Sequence, residues 1–229
     1  MSPEISTARI VIRSVVGLGI LCALLFGGAG TIVWPEAWIF LALQVISSVG
    51  MVVWMRKHDP ELLKERMMLW RRLVKWWDKV ILTLLIAGCV PMFALPGLDA
   101  VRYRWSHVPL PFEIIGFAGF ILSSCLIFWV IKTNPYSSAT VEIQKDRGHS
   151  VISTGPYHYV RHPMYVGAVL TFFSIPLALG SLFTFIPGMI LTALIVVRTY
   201  LEDRTLHQEL DGYATYAETV KYRLIPGVW

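Results

Sequence analysis

Charged residues are scarce in this chain of 229 residues. Asp, Glu, Lys and Arg together make up 15% of it, against about 25% in ordinary soluble domains. Apolar residues make up 55%. This composition excludes a soluble globular protein of the usual kind, and the length leaves room for one membrane domain without a sizeable soluble one.

Cysteine is also scarce, and the histidines do not form a metal-binding pattern. His158 and His162 are four positions apart, but Pro163 argues against a shared helix face, and neither a third ligand nor an HExxH motif is present. We therefore expect no metal site. We interpret the cysteines as small apolar packing residues rather than a disulfide framework. Each of the three lies within an apolar run: Cys22, Cys89 and Cys125.

Long continuous apolar runs dominate what is present. Runs of about 18 residues or more can cross a bilayer as helices, and their continuity argues against a membrane β-barrel. The run at 164–200 is too long for one span, and Ala178-Leu179-Gly180-Ser181 offers a turn within it. We predict an all-α, multi-pass membrane protein with six apolar segments, the last two forming a tight hairpin. The first four segments cover approximately 10–29, 35–55, 79–95 and 111–131.

The segments divide into two regions of one integrated domain. Residues 1–131 form a four-helix membrane region, with an amphipathic interfacial helix predicted at 59–77. Asp59 is its expected N-cap and Pro60 its first helical residue. Residues 132–229 form the second region, which combines the hairpin with a polar segment before it and a polar tail after it.

Positive charge is distributed unevenly between the two sides of the predicted membrane topology. With the N-terminus inside, 18 of the 20 Lys and Arg residues lie on the inner side, and only Arg102 and Arg104 lie outside. Cytoplasmic loops carry such an excess in membrane proteins. We therefore expect both termini, and the polar segment before the hairpin, to be cytoplasmic. The expected location is the plasma membrane of a prokaryote.

The polar and aromatic stretch at 148–165 is the strongest candidate for a functional site. Proline is favoured in the first turn of a helix, and the residue before it is kept out of the helical region. Pro163 therefore begins the fifth helix, with Arg161 and His162 in an extended turn. Backbone amides at such a turn could receive an anionic group.

Arg198 and Glu202 lie where the last apolar segment reaches the same side. They are four positions apart and share a helix face. One interpretation is a simple ion pair at the helix end. The other is a division of labour, in which Arg198 binds a substrate anion and Glu202 faces a cationic ligand.

Together these residues resemble the isoprenylcysteine carboxyl methyltransferase family, whose pattern is shared with phospholipid N-methyltransferases. A looser version occurs in sterol reductases. The resemblance covers roughly residues 132–229, and residues 1–131 carry no matching motif. It rests on the following elements: Gly148-His149, Gly155-Pro156-Tyr157, Arg161-His162-Pro163-Met164-Tyr165, the apolar hairpin, Arg198, and Glu202-Asp203.

The resemblance implies S-adenosylmethionine as the cofactor and Arg198 as a substrate-binding residue, with Glu202 as a second catalytic residue. Two positions depart from the family pattern: Glu202-Asp203 replaces paired glutamates, and Glu142 replaces a glutamine. Gln144 is an alternative to Glu142 as the cofactor contact. By position, the implied cofactor-binding residues are Glu142, His149, Ser150, Val151, Ile152, Tyr157, His162, Pro163, Met164, Tyr165 and Glu202.

The leading hypothesis is an integral membrane methyltransferase that acts on a lipophilic acceptor. A carboxylate, as in isoprenylcysteine, is favoured because of Arg198. The alternatives are phospholipid or amine N-methylation, a reductase that uses a nicotinamide cofactor, and a non-catalytic membrane protein. The expected partners are membrane lipids and a small or prenylated substrate that arrives from the bilayer. No nucleic-acid partner is expected, and the sequence leaves the oligomeric state open.

Overall fold

The computed structural model describes residues 6–67 and 75–229. Within these residues the chain forms helices joined by irregular segments, with no β-strand. Two short 3₁₀ turns, Lys145–Arg147 and Gly155–His158, interrupt the irregular stretch between α5 and α6. The α-helices are α1 (Thr7–Ala29), α2 (Pro35–His58), α3 (Pro60–Met67), α4 (Trp76–Pro96), α5 (Leu110–Thr133), α6 (Pro163–Ala178), α7 (Phe185–Glu209) and α8 (Tyr213–Thr219).

The six apolar segments are confirmed. Among the described residues, five helices are long and apolar enough to cross a membrane, namely α1, α2, α4 with its continuation, α5 and α7, and the apolar α6 is shorter. The tight hairpin is also confirmed, because α6 ends at Ala178 and α7 begins at Phe185. One apolar cluster draws a buried side chain from each of the six helices: Leu25, Phe40, Met92, Phe120, Ile175 and Leu191.

Two predicted boundaries are wrong. The third segment is predicted to end at about residue 95, but α4 continues as a π-helical segment, Gly97–Tyr103. The buried Asp99 in this segment accepts hydrogen bonds from Ser106 and Ser181, and these contacts hold the segment against the hairpin turn. The helix therefore extends beyond its predicted end as a π-helix, and the hairpin turn satisfies the buried Asp99 carboxylate.

The amphipathic helix predicted at 59–77 is not continuous. Its start is correct, since the Asp59 carboxylate accepts a hydrogen bond from the Leu62 amide at 2.9 Å. Lys75 has an extended backbone, and the two tryptophans that follow it belong to α4. Residues 68–74 of the predicted helix lie outside the described residues. Leu62 and Leu63 of α3 are buried against Met55 of α2.

Helices α5 and α6 make the most extensive helix pair, and together they frame the irregular segment at 134–162. Gly116 allows their close approach. A Cβ atom at this position would meet Leu177 Cβ at 2.7 Å and would also press on the backbone of Ala178. Because backbone cannot move aside like a flexible side chain, this glycine sets the spacing of the pair.

We predict that Gly116→Ala lowers the stability of the protein by about 1–3 kcal/mol, as overpacking does at close helix contacts. Unfolding in detergent, followed by circular dichroism, would measure the loss. Gly50→Ala is the matched control, since a Cβ at Gly50 in α2 meets no atom within 4 Å. Its stability should be unchanged or higher, because alanine favours a helix more than glycine does. Equal losses in the two variants would contradict the role of Gly116.

Candidate active site

A cavity lies where the irregular segment at 134–162 meets the end of α7. Its volume is about 730 Å³, part of which is open to solvent. Three stretches of the chain form its walls: the segment after α5, the segment before α6 with Tyr165 of α6 itself, and α7 with α8. Residues far apart in sequence therefore share one cavity at one end of the helix bundle.

The cavity brings together nine of the eleven residues that the sequence assigned to a cofactor. They come from both sides of the hairpin, as the resemblance implied. The nine are Glu142, His149, Ser150, Val151, Ile152, Tyr157, His162, Tyr165 and Glu202.

The other two assigned residues, Pro163 and Met164, do not line the cavity. Pro163 is buried at the first position of α6. Met164 points to the opposite side of that helix and packs against the cluster of Met55 and Leu62. Their neighbours His162 and Tyr165 face the cavity because of the helical periodicity that begins at Pro163.

Glu142 and Gln144 differ in burial and in hydrogen bonding. Gln144 is 2% exposed; its amide donates to the Tyr136 carbonyl at 3.2 Å and accepts from Arg147 at 2.6 Å. Gln144 thus holds its own loop together, whereas Glu142 lines the cavity.

Asp203 anchors the wall that faces α7. This carboxylate, 2% exposed, accepts hydrogen bonds from Arg161 at 2.8 Å and 3.2 Å and from Arg223 at 2.8 Å. His162 and Tyr213 also donate to it, at 3.3 Å and 2.9 Å. The second acid of the Glu202-Asp203 pair is therefore fully engaged in joining four segments, and Glu202 is the one that faces the cavity.

The turn before α6 differs from the expected anion site. The backbone amides of Arg161 and His162 donate to the carbonyls of Tyr222 and Arg223, at 2.9 Å and 3.0 Å. The C-terminal tail therefore takes up these two donors. These two amides are therefore not free for a ligand anion, because a returning stretch of backbone satisfies them first.

Glu202 lies close to two rings in the cavity wall. The Tyr165 hydroxyl donates a hydrogen bond to its carboxylate, and His162 Nδ1 lies 4.0 Å from the other carboxylate oxygen. The rings of His162 and Tyr165 stack with 5.8 Å between centroids. The result is a negatively charged group held in place within an aromatic wall, suited to a cationic ligand.

Arg198 lies behind the wall and does not pair with Glu202. Its Nε donates to Asp78 of α4 at 2.9 Å, and its Nη2 donates to the Ala139 carbonyl at 2.8 Å. The guanidinium carbon is 5.5 Å from the centroid of the Tyr165 ring, which does line the cavity. The simple ion pair between Arg198 and Glu202 is thus replaced by a long-range pair with Asp78.

Sequence reasoning missed three residues that build this site. Asp78 and Arg66 come from the region without a matching motif, and both contact the segment after α5. Asp203 was noted only as the neighbour of Glu202. One signal was available for Asp78: it is an acidic residue at the edge of an apolar run, where an ionised group needs a partner.

Tyr157 contributes a neutral hydroxyl to the cavity. Asn134 donates to this hydroxyl at 2.8 Å, and Tyr216 donates to the Tyr157 carbonyl at 2.7 Å. Burial raises the pKa of Tyr157 above its ordinary value. The phenol therefore stays protonated near neutral pH and does not serve as a general base.

Comparison with known families gives a match for the second half of the chain. Residues 112–210 match the family model described as phospholipid methyltransferase. No curated protein matches the chain. The family match covers most of the cavity-lining residues and confirms the resemblance to the superfamily of membrane methyltransferases. The fold and the match together support a membrane methyltransferase.

His149 forms part of the cavity in its neutral form. Its ring stacks on Tyr136 at 4.4 Å between centroids, and Nδ1 accepts a hydrogen bond from the backbone amide of Gln144 at 3.3 Å. Burial, with a smaller effect of the nearby Arg147, lowers the pKa of His149 below the ordinary value of 6.5. An imidazole that accepts from a backbone amide loses that bond when it is protonated.

We predict that His149 makes the ligand-free protein less stable in acid. The unfolded chain binds a proton at His149 as the pH falls through about 6.5, while the folded protein does not. The contribution of His149 to the free energy of unfolding is therefore fully present above about pH 6.5. It is lost as the pH falls towards the lower pKa of His149 in the folded protein. Melting temperatures between pH 7.5 and 5 should fall more for the unsubstituted protein than for His149→Gln. Parallel curves for the two proteins would contradict this role.

Proposed function

We propose that this protein uses S-adenosylmethionine to methylate a lipophilic acceptor at the membrane surface. The observation that carries the proposal is the cavity itself, in which a fixed carboxylate, Glu202, lies among aromatic rings drawn from three segments. S-adenosylmethionine combines a sulfonium, an ammonium, a carboxylate and an adenine. A negatively charged group beside aromatic surfaces complements the cationic and ring portions of such a molecule.

The residues present fit this donor in chemistry. Ser137 lines the cavity, and its buried hydroxyl has no hydrogen-bond partner among the described residues. Buried polar groups without partners are rare in folded proteins and call for an explanation. A polar ligand in the cavity supplies one.

The protein's own part in the reaction is mainly positioning. When bound, S-adenosylmethionine supplies an electrophilic methyl group. Glu202, held by Tyr165, faces the positive charge, while the Tyr136–His149 stack and Tyr157 offer ring surfaces. The aromatic rings of the walls make the surroundings less polar than bulk water, and fixed protein dipoles act more strongly in such an environment.

A carboxylate is our first candidate for the acceptor. It is ionised at neutral pH and needs no general base. Arg198 lies just behind Tyr165, and its hydrogen bonds to described residues use Nε and Nη2. A guanidinium so placed can orient a carboxylate. An isoprenylcysteine-like molecule that arrives sideways from the bilayer would bring this group together with a lipid chain.

A phospholipid amine is the second candidate, and one contact favours it. The charge of Arg198 is already balanced by Asp78 at 2.9 Å, which weakens its attraction for a second anion. Glu202 is a carboxylate on the cavity wall, and a carboxylate can accept the proton that an ammonium acceptor must lose. The matched family model is also that of phospholipid methyltransferases.

We predict that the purified protein binds S-adenosylmethionine and S-adenosylhomocysteine, and that Glu202→Gln weakens S-adenosylmethionine binding about tenfold or more, since a charged contact is lost. Calorimetry in detergent would measure both. Glu218→Gln is the matched control, because Glu218 is exposed on α8 and does not line the cavity. Binding of NADPH without binding of either S-adenosyl compound would overturn the proposal in favour of a reductase.

A second prediction concerns the acceptor. Supplied with methyl-labelled S-adenosylmethionine, N-acetyl-S-farnesylcysteine and phosphatidylethanolamine vesicles, the protein should label the farnesylcysteine. A methyl ester releases its label as methanol in base, whereas an N-methyl group does not. Base-stable label in the phospholipid fraction would contradict the carboxylate assignment and favour the amine.

A further inference from the structure

The cavity wall at residues 137–142 has no regular secondary structure to hold it. Five of these six residues line the cavity: Ser137, Ser138, Thr140, Val141 and Glu142. Internal support is limited to short-range contacts, such as that of the Thr140 amide with the Ser138 hydroxyl at 3.1 Å. Buried backbone donors and acceptors in an irregular segment must find partners elsewhere.

Two of those partners come from outside the region that matches the family model. Arg66 of α3 donates to the Ser137 carbonyl at 2.7 Å. Asp78 of α4 accepts from the Val141 amide at 3.0 Å. The wall is therefore fixed at its beginning by α3 and at its end by α4, and both helices precede residue 112.

Asp78 makes two contacts at once, one with each carboxylate oxygen. Oδ2 accepts from the Val141 amide, and Oδ1 accepts from Arg198 at 2.9 Å. Arg198 in turn donates to the Ala139 carbonyl at 2.8 Å. Asp78 and Arg198 thus form a bracket that satisfies a buried amide and a carbonyl two residues apart in the same wall.

A buried ion pair is by itself weak evidence for stability, because desolvation of the two charges offsets their attraction. What distinguishes this pair is its connection to the wall. Asp78 is 1% exposed and Arg198 is 6% exposed, so water cannot readily replace either partner. Removal of Asp78 leaves the Val141 amide without an acceptor and the guanidinium without its counter-charge.

We propose that Asp78 is a positioning residue for donor binding, acting through the wall at 137–142 and through Arg198. This inference rests on the proposed function, since the donor is S-adenosylmethionine. It assigns a role in the site to the first half of the chain, where the sequence carried no motif. It also joins the donor cavity to the residue proposed to orient the acceptor.

Asp78→Asn tests the proposal, because an amide keeps the shape but cannot accept from both Val141 and Arg198. Binding of S-adenosylhomocysteine should weaken about tenfold, and hydrogen exchange at 137–142 should become faster. Asp99→Asn is the matched control. Asp99 is equally buried, at 0% exposure, but lies at the other end of the same continuous helix. That variant should lose stability while keeping its affinity and its exchange pattern at 137–142.

The double variant Asp78→Leu with Arg198→Met separates positioning from charge balance. Removing both charges should restore the melting temperature towards that of the unsubstituted protein, since no buried charge is left unpaired. Affinity should stay low, because the Val141 amide and the Ala139 carbonyl still lack their partners. This variant also provides a measurable protein if Asp78→Asn alone fails to fold.

Two results would overturn the inference. The first is affinity within about twofold of the unsubstituted protein in Asp78→Asn or, if that variant does not fold, in the double variant. The second is recovery of full affinity in the double variant. Failure of the unsubstituted protein to bind S-adenosylhomocysteine is a different result, and it would overturn the proposed function and this inference with it.

Discussion

The site depends on the hydrogen bonds that the buried Asp203 carboxylate accepts. This carboxylate receives hydrogen bonds from Arg161, Arg223, His162 and Tyr213. These four residues belong to the segment before α6, the C-terminal tail and the start of α8, while Asp203 itself is on α7. A single buried anion therefore joins the parts of the chain that surround the cavity. Because two arginines balance it, the cluster carries no uncompensated negative charge.

The same principle, polar contacts in place of regular secondary structure, organises the rest of the cavity wall. The segment at 134–162 contains only two short 3₁₀ turns. Its order comes from side chains that reach it from α3, α4 and α7: Arg66, Asp78 and Arg198. Hydrogen bonds that include an ionised partner are stronger and more directional than neutral ones. An irregular segment can thus be held rigidly beside a bundle whose helices are otherwise apolar.

The membrane helices serve this arrangement mainly by setting distances. Gly116 brings α5 close to α6, and the turn between α6 and α7 is fastened to Asp99 of the π-helical segment. These contacts lie at or towards the opposite end of the bundle from the cavity. They hold the hairpin together at that end, and the hydrogen bond between Tyr165 and Glu202 joins α6 to α7 at the cavity end.

Much of the site was predictable because its residues lie in a recognisable order along the chain. Pro163 sets the start of α6, so the cavity-facing positions of His162 and Tyr165 follow from local geometry. The position of Glu202 near Tyr165 follows from the two helices of the hairpin, because α7 returns to the level at which α6 begins. The bond between Tyr165 and Glu202 spans 37 positions but connects two parts of one motif. Sequence reasoning is strongest where local rules and a motif coincide.

The sequence by itself determined the membrane class, the six apolar segments, the hairpin and nine of the cavity-lining residues. Composition and local backbone preferences suffice for these. Only the tertiary structure decided how the charges pair. Arg198 lies four positions from Glu202 but pairs with Asp78, which is 120 positions away. The Arg161 amide donates its hydrogen bond to the Tyr222 carbonyl in the C-terminal tail and not to a ligand. The physical reason is that a buried charge or amide bonds to the nearest partner in space, which sequence spacing does not reveal.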